Sequence, residues 1–117
     1  MGYSAESALF YGFTQPYDDF ESWDQAKDEA EDVYGWREME EKIGITFGLF
    51  GSSDERQYYI AITETHSRGD WGEPTIIDPE KIITKSEWEP KLRTFAERFG
   101  MHLNELQPQW YITSYYG

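Results

Sequence analysis

Eight of the fifteen residues between Asp18 and Asp32 are carboxylates: Asp18, Asp19, Glu21, Asp24, Asp28, Glu29, Glu31 and Asp32, with Lys27 the only base among them. Carboxylates at that density can hold a hard cation, work as an acid/base pair, or present charge to a partner. Asp24 to Asp32 resembles a calcium loop only in composition, because it lacks the glycine and the ligand spacing. A glycosidase-style pair gains no selective support, since among so many acids some two always lie close. Charge presentation remains. Fifteen helical residues at a rise of ~1.5 Å span ~22 Å, and a net charge of about −7 over that length is roughly one per 3 Å. A single DNA strand carries one per ~3.4 Å. The line charge matches, and Glu21, Asp24, Asp28, Glu31 and Asp32 become candidate partner-binding residues. The plainer alternative is a solvated face of an acidic protein.

Other reactive side chains offer less. His66 ends a predicted strand and His102 follows a predicted helix, and neither has a metal-binding spacing such as HExxH. Glu64 or Asp70 can be drawn together with His66 on paper, although an exposed histidine at a strand end is ordinary. Gly48-Leu49-Phe50-Gly51-Ser52-Ser53 lacks the lysine of a phosphate-binding loop, and no Gly-x-Ser-x-Gly elbow occurs. The chain therefore reads as non-enzymatic, with no cofactor and no metal. Arg68-Gly69-Asp70 spells an integrin tripeptide, a chance match without a secretory leader. Trp71 beside it is an aromatic on a predicted loop that could anchor a partner, or fold back over the core.

The totals narrow the class. With 117 residues the chain forms one expected domain, 1–117, able to bury roughly two-thirds of its unfolded surface. It has no cysteine, which excludes thiol chemistry and fits a reducing compartment. No apolar run approaches the ~20 residues of a membrane span, and Met1-Gly2-Tyr3-Ser4 is no signal peptide, so a cytoplasmic location is expected. A net charge of −13 repels phosphate backbones and anionic membranes and attracts basic surfaces. Aromatics at 18% place the chain among folded proteins rather than acidic disordered ones.

These residues are positioned by the elements that periodicity predicts. Ala8 to Phe13 reads as a strand. Phe20, Trp23, Ala26, Ala30 and Val33 recur at helical steps through the acidic stretch and mark its buried face, with Asp18, Asp19 or Ser22 as cap. Gly35 interrupts, Trp36 to Lys42 continue with Glu38 and Lys42 paired, and Gly44 stops the run. Ile45 to Phe50 and Gln57 to His66 form a hairpin, and Ser67 to Pro74 a polar loop. Asp78-Pro79 opens a single turn. Ser86 and Glu89 have capping-box spacing ahead of a helix with Trp88, Leu92, Phe95, Ala96 and Phe99 on one face. Pairs Glu87–Lys91 and Glu89–Arg93 brace that helix outside. Trp110 to Tyr116 is a last strand. The order predicts an α+β two-layer sandwich: a ferredoxin-like βαββαβ fold, its four-stranded antiparallel sheet carrying two helices on one face. The other face would be left open and aromatic, a contact surface for a second copy or another protein, or else be covered by loops and the C-terminal tail. RNA-binding domains share this architecture, but the Lys/Arg-Gly-aromatic pattern is absent and the charge has the wrong sign, so direct nucleic-acid binding is not expected.

Met1 to Phe13 (Met1-Gly2-Tyr3-Ser4-Ala5-Glu6-Ser7-Ala8-Leu9-Phe10-Tyr11-Gly12-Phe13), followed by an acidic helix, resembles the start of small accessory proteins of bacteriophages. That resemblance implies a phage protein made in the cytoplasm of an infected bacterium. It also implies an inhibitor of a host system such as a restriction enzyme, a CRISPR effector or RNA polymerase, in some cases by imitating DNA. The expected partner is a basic protein surface, such as a host nucleic-acid-binding enzyme. The competing expectation is a self-associating accessory or structural domain.

Overall fold

The computed structural model describes residues 5–16, 19–52, 56–70, 76, 78–103 and 105–116. Its central strand is β1 (Ala5–Thr14), where apolar side chains alternate onto two faces. Tyr11 and Phe13 point to one face, Ala8 and Phe10 to the other, and all four are buried. Next come helix α1 (Phe20–Tyr34) and a short helix α2 (Trp36–Glu38) that runs on as a π-turn through Ile43. Strands β2 (Ile45–Ser52) and β3 (Gln57–Ile62) form the expected hairpin, with Phe47 opposite Ile60 and Phe50 opposite Gln57. Strand β4 (Ser67–Asp70), a 3-10 turn (Pro79–Ile82), helix α3 (Trp88–Arg98) and strand β5 (Gln109–Tyr116) complete the chain.

The protein is α+β, and its described residues form three helices and a five-stranded sheet. By its long antiparallel ladders the sheet runs β2-β3-β1-β5, with β4 carrying the line of β3 further along β1. This corrects the four-stranded ferredoxin-like sheet in two respects. There is a fifth strand, where Ser67 to Pro74 reads as a loop. The tips of β2 and β5 also meet in a parallel pairing at Gly51–Tyr115 and Ser52–Tyr116. Hydrogen-bonded neighbours thus run β3-β2-β5-β1-β4, with β3 also on β1, which is not the ferredoxin-like order.

A 3-10 turn at Thr63–Thr65 separates β3 from β4, so the expected strand Gln57 to His66 is cut short. The cut deprives Tyr11 of a backbone partner in the ladder. The buried Thr65 hydroxyl takes that role, accepting from the Tyr11 N–H at 2.9 Å and donating to the Ile62 carbonyl at 2.7 Å. A buried N–H left unmet would cost about 1–3 kcal/mol.

Two cores result. On the helix-covered face Tyr11, Phe13, Ile45, Phe47, Tyr58, Ile60 and Ile62 pack against Trp23 of α1 and Trp88, Leu92 and Phe95 of α3. On the other face the curled sheet buries Ala8, Phe10, Tyr59 and Ala61 against itself, with Phe50 and Tyr111 leaning over them. Phe10 stacks on Tyr59 at 4.1 Å and on Tyr111 at 5.5 Å. The middle of the face expected to lie open is therefore closed. Among the described residues no helix is long and apolar enough to cross a membrane.

Two glycines permit this closure. A Cβ on Gly12 would lie 1.9 Å from the Ile60 carbonyl oxygen, and one on Gly48 would lie 2.2 Å from the Tyr59 ring. Gly12→Ala is expected to destabilise by about 3 kcal/mol or more, because its obstacle is backbone within a ladder. Gly48→Ala should cost about 1–3 kcal/mol, because a ring can shift. Urea unfolding of both variants measures the order, and equal stability of Gly12→Ala and wild type would rule the account out.

Candidate functional site

Helix α1 is rooted by small and large residues on one side. Trp23, Ala26 and Ala30 are fully buried, and the alanines let the helix lie close to the sheet. Trp23 meets Phe47 edge-on at 6.4 Å, and Phe20 stacks on Tyr58 at 5.2 Å from the edge of the interface. Val33 is a correction to the predicted buried face, for it is 53% exposed. One full turn beyond Ala30 the inward position falls to Tyr34, which packs edge-on against Phe99 of α3 at 6.0 Å. The helix begins after Asp19, whose side chain makes no capping bond, and closes at Gly35.

At ~100° per residue, Glu21, Asp28 and Asp32 fall within about 40° of one another on the outer side, over an axial length of ~16 Å. All three are exposed. The other two predicted residues turn toward the body of the protein. Asp24 is half-buried and accepts a 2.5 Å hydrogen bond from the Tyr58 hydroxyl. Burial, and then the bond and charge of Asp24, push the Tyr58 phenol well above its ordinary pKa, so it stays a donor. Glu31 lies 3.7 Å from Lys27 Nζ, which also lies 3.7 Å from Asp28. Those are loose surface contacts of small energy. The structure therefore brings Glu21, Asp28 and Asp32 onto one exposed line, with Asp28 loosely shared with Lys27, ties Asp24 to Tyr58 and leaves Glu31 beside Lys27. The Asp24–Tyr58 lock joins residues 34 apart in the chain, and no local pattern announces it. Trp71 and Asp18 lie outside the described residues.

Glu64 and His66, two of the residues weighed for catalysis, are claimed by separate partners. Glu64 accepts from Trp88 Nε1 at 3.0 Å and from Lys85 Nζ at 3.3 Å, and the Trp88 bond above all holds its carboxyl below the usual range. His66 turns to the second core, where Nε2 lies 2.7 Å from the Tyr59 hydroxyl and the ring stacks on Tyr59 at 5.8 Å. Burial, helped by the charge of Arg68, pulls the His66 pKa down to about 4. The imidazole is neutral at pH 7, which lets one ring nitrogen share a proton with the phenol.

No protein-family model, curated protein or solved structure matches the chain.

The unfolded His66 takes up its proton near the ordinary value of ~6.5, before the folded one does at about 4. Stability contributed by the neutral ring is thus present above about 6.5 and is lost as pH falls through that window. Ordinary carboxylates titrate over part of the same range, so the comparison is with His66→Gln. The wild-type minus variant stability should shrink between about pH 6.5 and pH 4, read from urea midpoints at each pH. A constant difference would show that His66 is already charged in the fold.

Proposed function

We propose that the chain is a non-enzymatic binding module that presents α1 to a basic surface of another protein. The surface is the nucleic-acid channel of a host enzyme, and the helix stands in for the charge line of a polynucleotide. The observation that carries this reading is the line of Glu21, Asp28 and Asp32, exposed together on a helix whose opposite side is fixed by Trp23, Ala26 and Ala30. A rigid root matters because charges held in place lose little freedom on docking. Six carboxylates and one lysine along α1 also give a field that steers a basic partner from a distance. Asp24, held by Tyr58, and Glu31, loosely beside Lys27, flank the line and add to the field. The resemblance of the N-terminal stretch to phage accessory proteins supplies the setting: an infected bacterial cytoplasm, with a restriction enzyme, CRISPR effector or RNA polymerase as the class of target.

The test uses a triple reversal, Glu21→Lys, Asp28→Lys and Asp32→Lys, which leaves the Asp24–Tyr58 bond intact. Immobilised wild-type protein should retain a bacterial protein that is released by duplex DNA and by raising the salt. The variant, with wild-type melting behaviour, should bind it at least tenfold more weakly. A partner that binds the triple variant equally well, or that DNA cannot displace, overturns the mimicry.

A second reading, self-association, draws on the far end of the helix-covered face. Ile112 of β5 is 80% exposed there, opposite Leu9, and Ile83 nearby in sequence to the 3-10 turn is 64% exposed. Light scattering separates the two readings: a dimer that survives high salt and is broken by Ile112→Lys supports self-association, and a monomer at all salts removes it.

A further inference from the structure

We propose that the groove between α3 and the π-turn after α2 binds a small organic acid with an apolar body. The groove is shallow and open to solvent and offers about 340 Å3, at the lower end of small-ligand sites. Its floor is apolar, with Ile45 and Phe95 from the main core and Ile43 half-buried beside them. Its charged lining is entirely basic, Lys91 and Arg98. That is unexpected in a molecule with 23 acids and 10 bases, where a base readily finds a carboxylate.

Among the described residues neither cation has taken one. Glu87 stands four residues before Lys91, the spacing that pairs Glu89 with Arg93 at 2.8 Å and Glu38 with Lys42 at 3.5 Å. Lys91 instead crosses the groove to Gly44, its Nζ 2.6 Å from where a Cβ would sit. The missing side chain is what makes room for the ammonium. Arg98 is held beside two rings, its Cζ 5.0 Å from the Tyr34 centroid and 5.4 Å from the Phe99 centroid, and donates to the Tyr34 hydroxyl. These contacts place the guanidinium while leaving other donors for an anion. Among the described residues neither base forms an ion pair.

Charge and size select the occupant. A polyanion would meet the repulsion of the whole chain, whereas a single carboxylate meets it once and gains a cation at close range. Lys91 and Arg98 are seven residues apart on α3, ~10 Å along its axis. One carboxylate therefore reaches one of them, and a body of roughly six to nine carbons lies along the floor toward the other. Thr94, on the rim between them, offers a hydroxyl. This proposal does not depend on the acids of α1.

Octanoate, nonanedioate, 1-octanol and octylamine, titrated against the full chain and followed by amide shifts in NMR, test it. Octanoate should saturate with shifts centred on Ile43, Ile45 and Thr94, at a dissociation constant of about 1 mM or tighter. Nonanedioate should equal or exceed it, and octanol and octylamine should bind at least fivefold more weakly. Lys91→Ala and Arg98→Ala are exposed changes that should keep the fold; the one that removes the partner of the carboxylate should weaken octanoate at least fivefold, the double variant should do so as well, and Lys91→Arg and Arg98→Lys should retain binding. Octylamine binding as well as octanoate, octanoate affinity unchanged in both alanine variants, or no saturable shift by about 10 mM overturns the proposal.

Discussion

The seat of Tyr59 on the bare backbone of Gly48 is the contact on which the rest of the fold depends. A sheet with helices on one face must do something with its other face, and the usual solutions are solvent or a second layer. Here the sheet supplies its own cover. Because Gly48 has no side chain, the Tyr59 ring can lie against β2, stack on Phe10 at 4.1 Å and still reach His66 with its hydroxyl. The same closeness at Gly12 brings β1 against β3. The strands curl until the tips of β2 and β5 touch. The hairpin is thus held from both sides, and the helix-covered core can be built on it.

That framework explains why α1 can carry so much unneutralised charge. Like charges along one helix repel, and acids at its C-terminal end oppose the dipole. Glu31 and Asp32 sit there, with only Lys27 to offset them. The helix persists because Trp23, Ala26 and Ala30 bury completely, a contribution of several kcal/mol for the tryptophan alone. The fit is not free of cost, for the Trp23 Nε1 and Ser22 Oγ are buried with no hydrogen-bond partner among the described residues. Burial of apolar area outweighs both penalties.

What could be read from the sequence follows from how far each signal reaches along the chain. The buried stripe of α1 was legible because helical periodicity is local, and so were the hairpin, the Gly44 stop and the Asp78-Pro79 turn, where the Asp78 carboxylate accepts from the Glu80 N–H at 3.0 Å. Val33 was misjudged because the stripe drifts as the helix leaves the sheet. The capping box of Ser86 and Glu89 does not form. Trp88 N–H is already spent on the Lys85 carbonyl at 3.2 Å, Pro90 has no N–H, and Glu89 turns to Arg93. Strand β4 was invisible for a different reason: Ser67-Arg68-Gly69-Asp70 has loop chemistry, and only its ladder with Glu6 to Leu9 makes it extended. The curl of the sheet lies in glycines that sequence reading assigns to turns or leaves unremarked. For the site, the charge was plain in the composition. Which carboxylates would be drawn inward depended on Tyr58 and Lys27, whose geometry only the tertiary fold sets.

The distribution of bases completes the physical picture. Ten lysines and arginines could in principle offset much of the acid on α1. Instead Arg93 is held between Glu89 and the Leu106 carbonyl, Lys85 by Glu64, and Lys42 by Glu38. Lys91 and Arg98 face a groove in whose lining no acid stands among the described residues. Among the described residues Lys27 is the base that pairs with acids of α1, and it does so loosely, splitting its charge between Asp28 and Glu31 while lying 5.9 Å from the Trp36 ring. A fold optimised for stability alone would bring opposite charges together, since even weak pairs favour the compact state when the net charge is large. Here, apart from Lys27, the bases that form ion pairs among the described residues do so away from α1, and the acids of that helix stay largely separate from them. Separation of that kind costs stability and yields a field with direction, which is the property a surface needs if it is to act on another molecule at a distance.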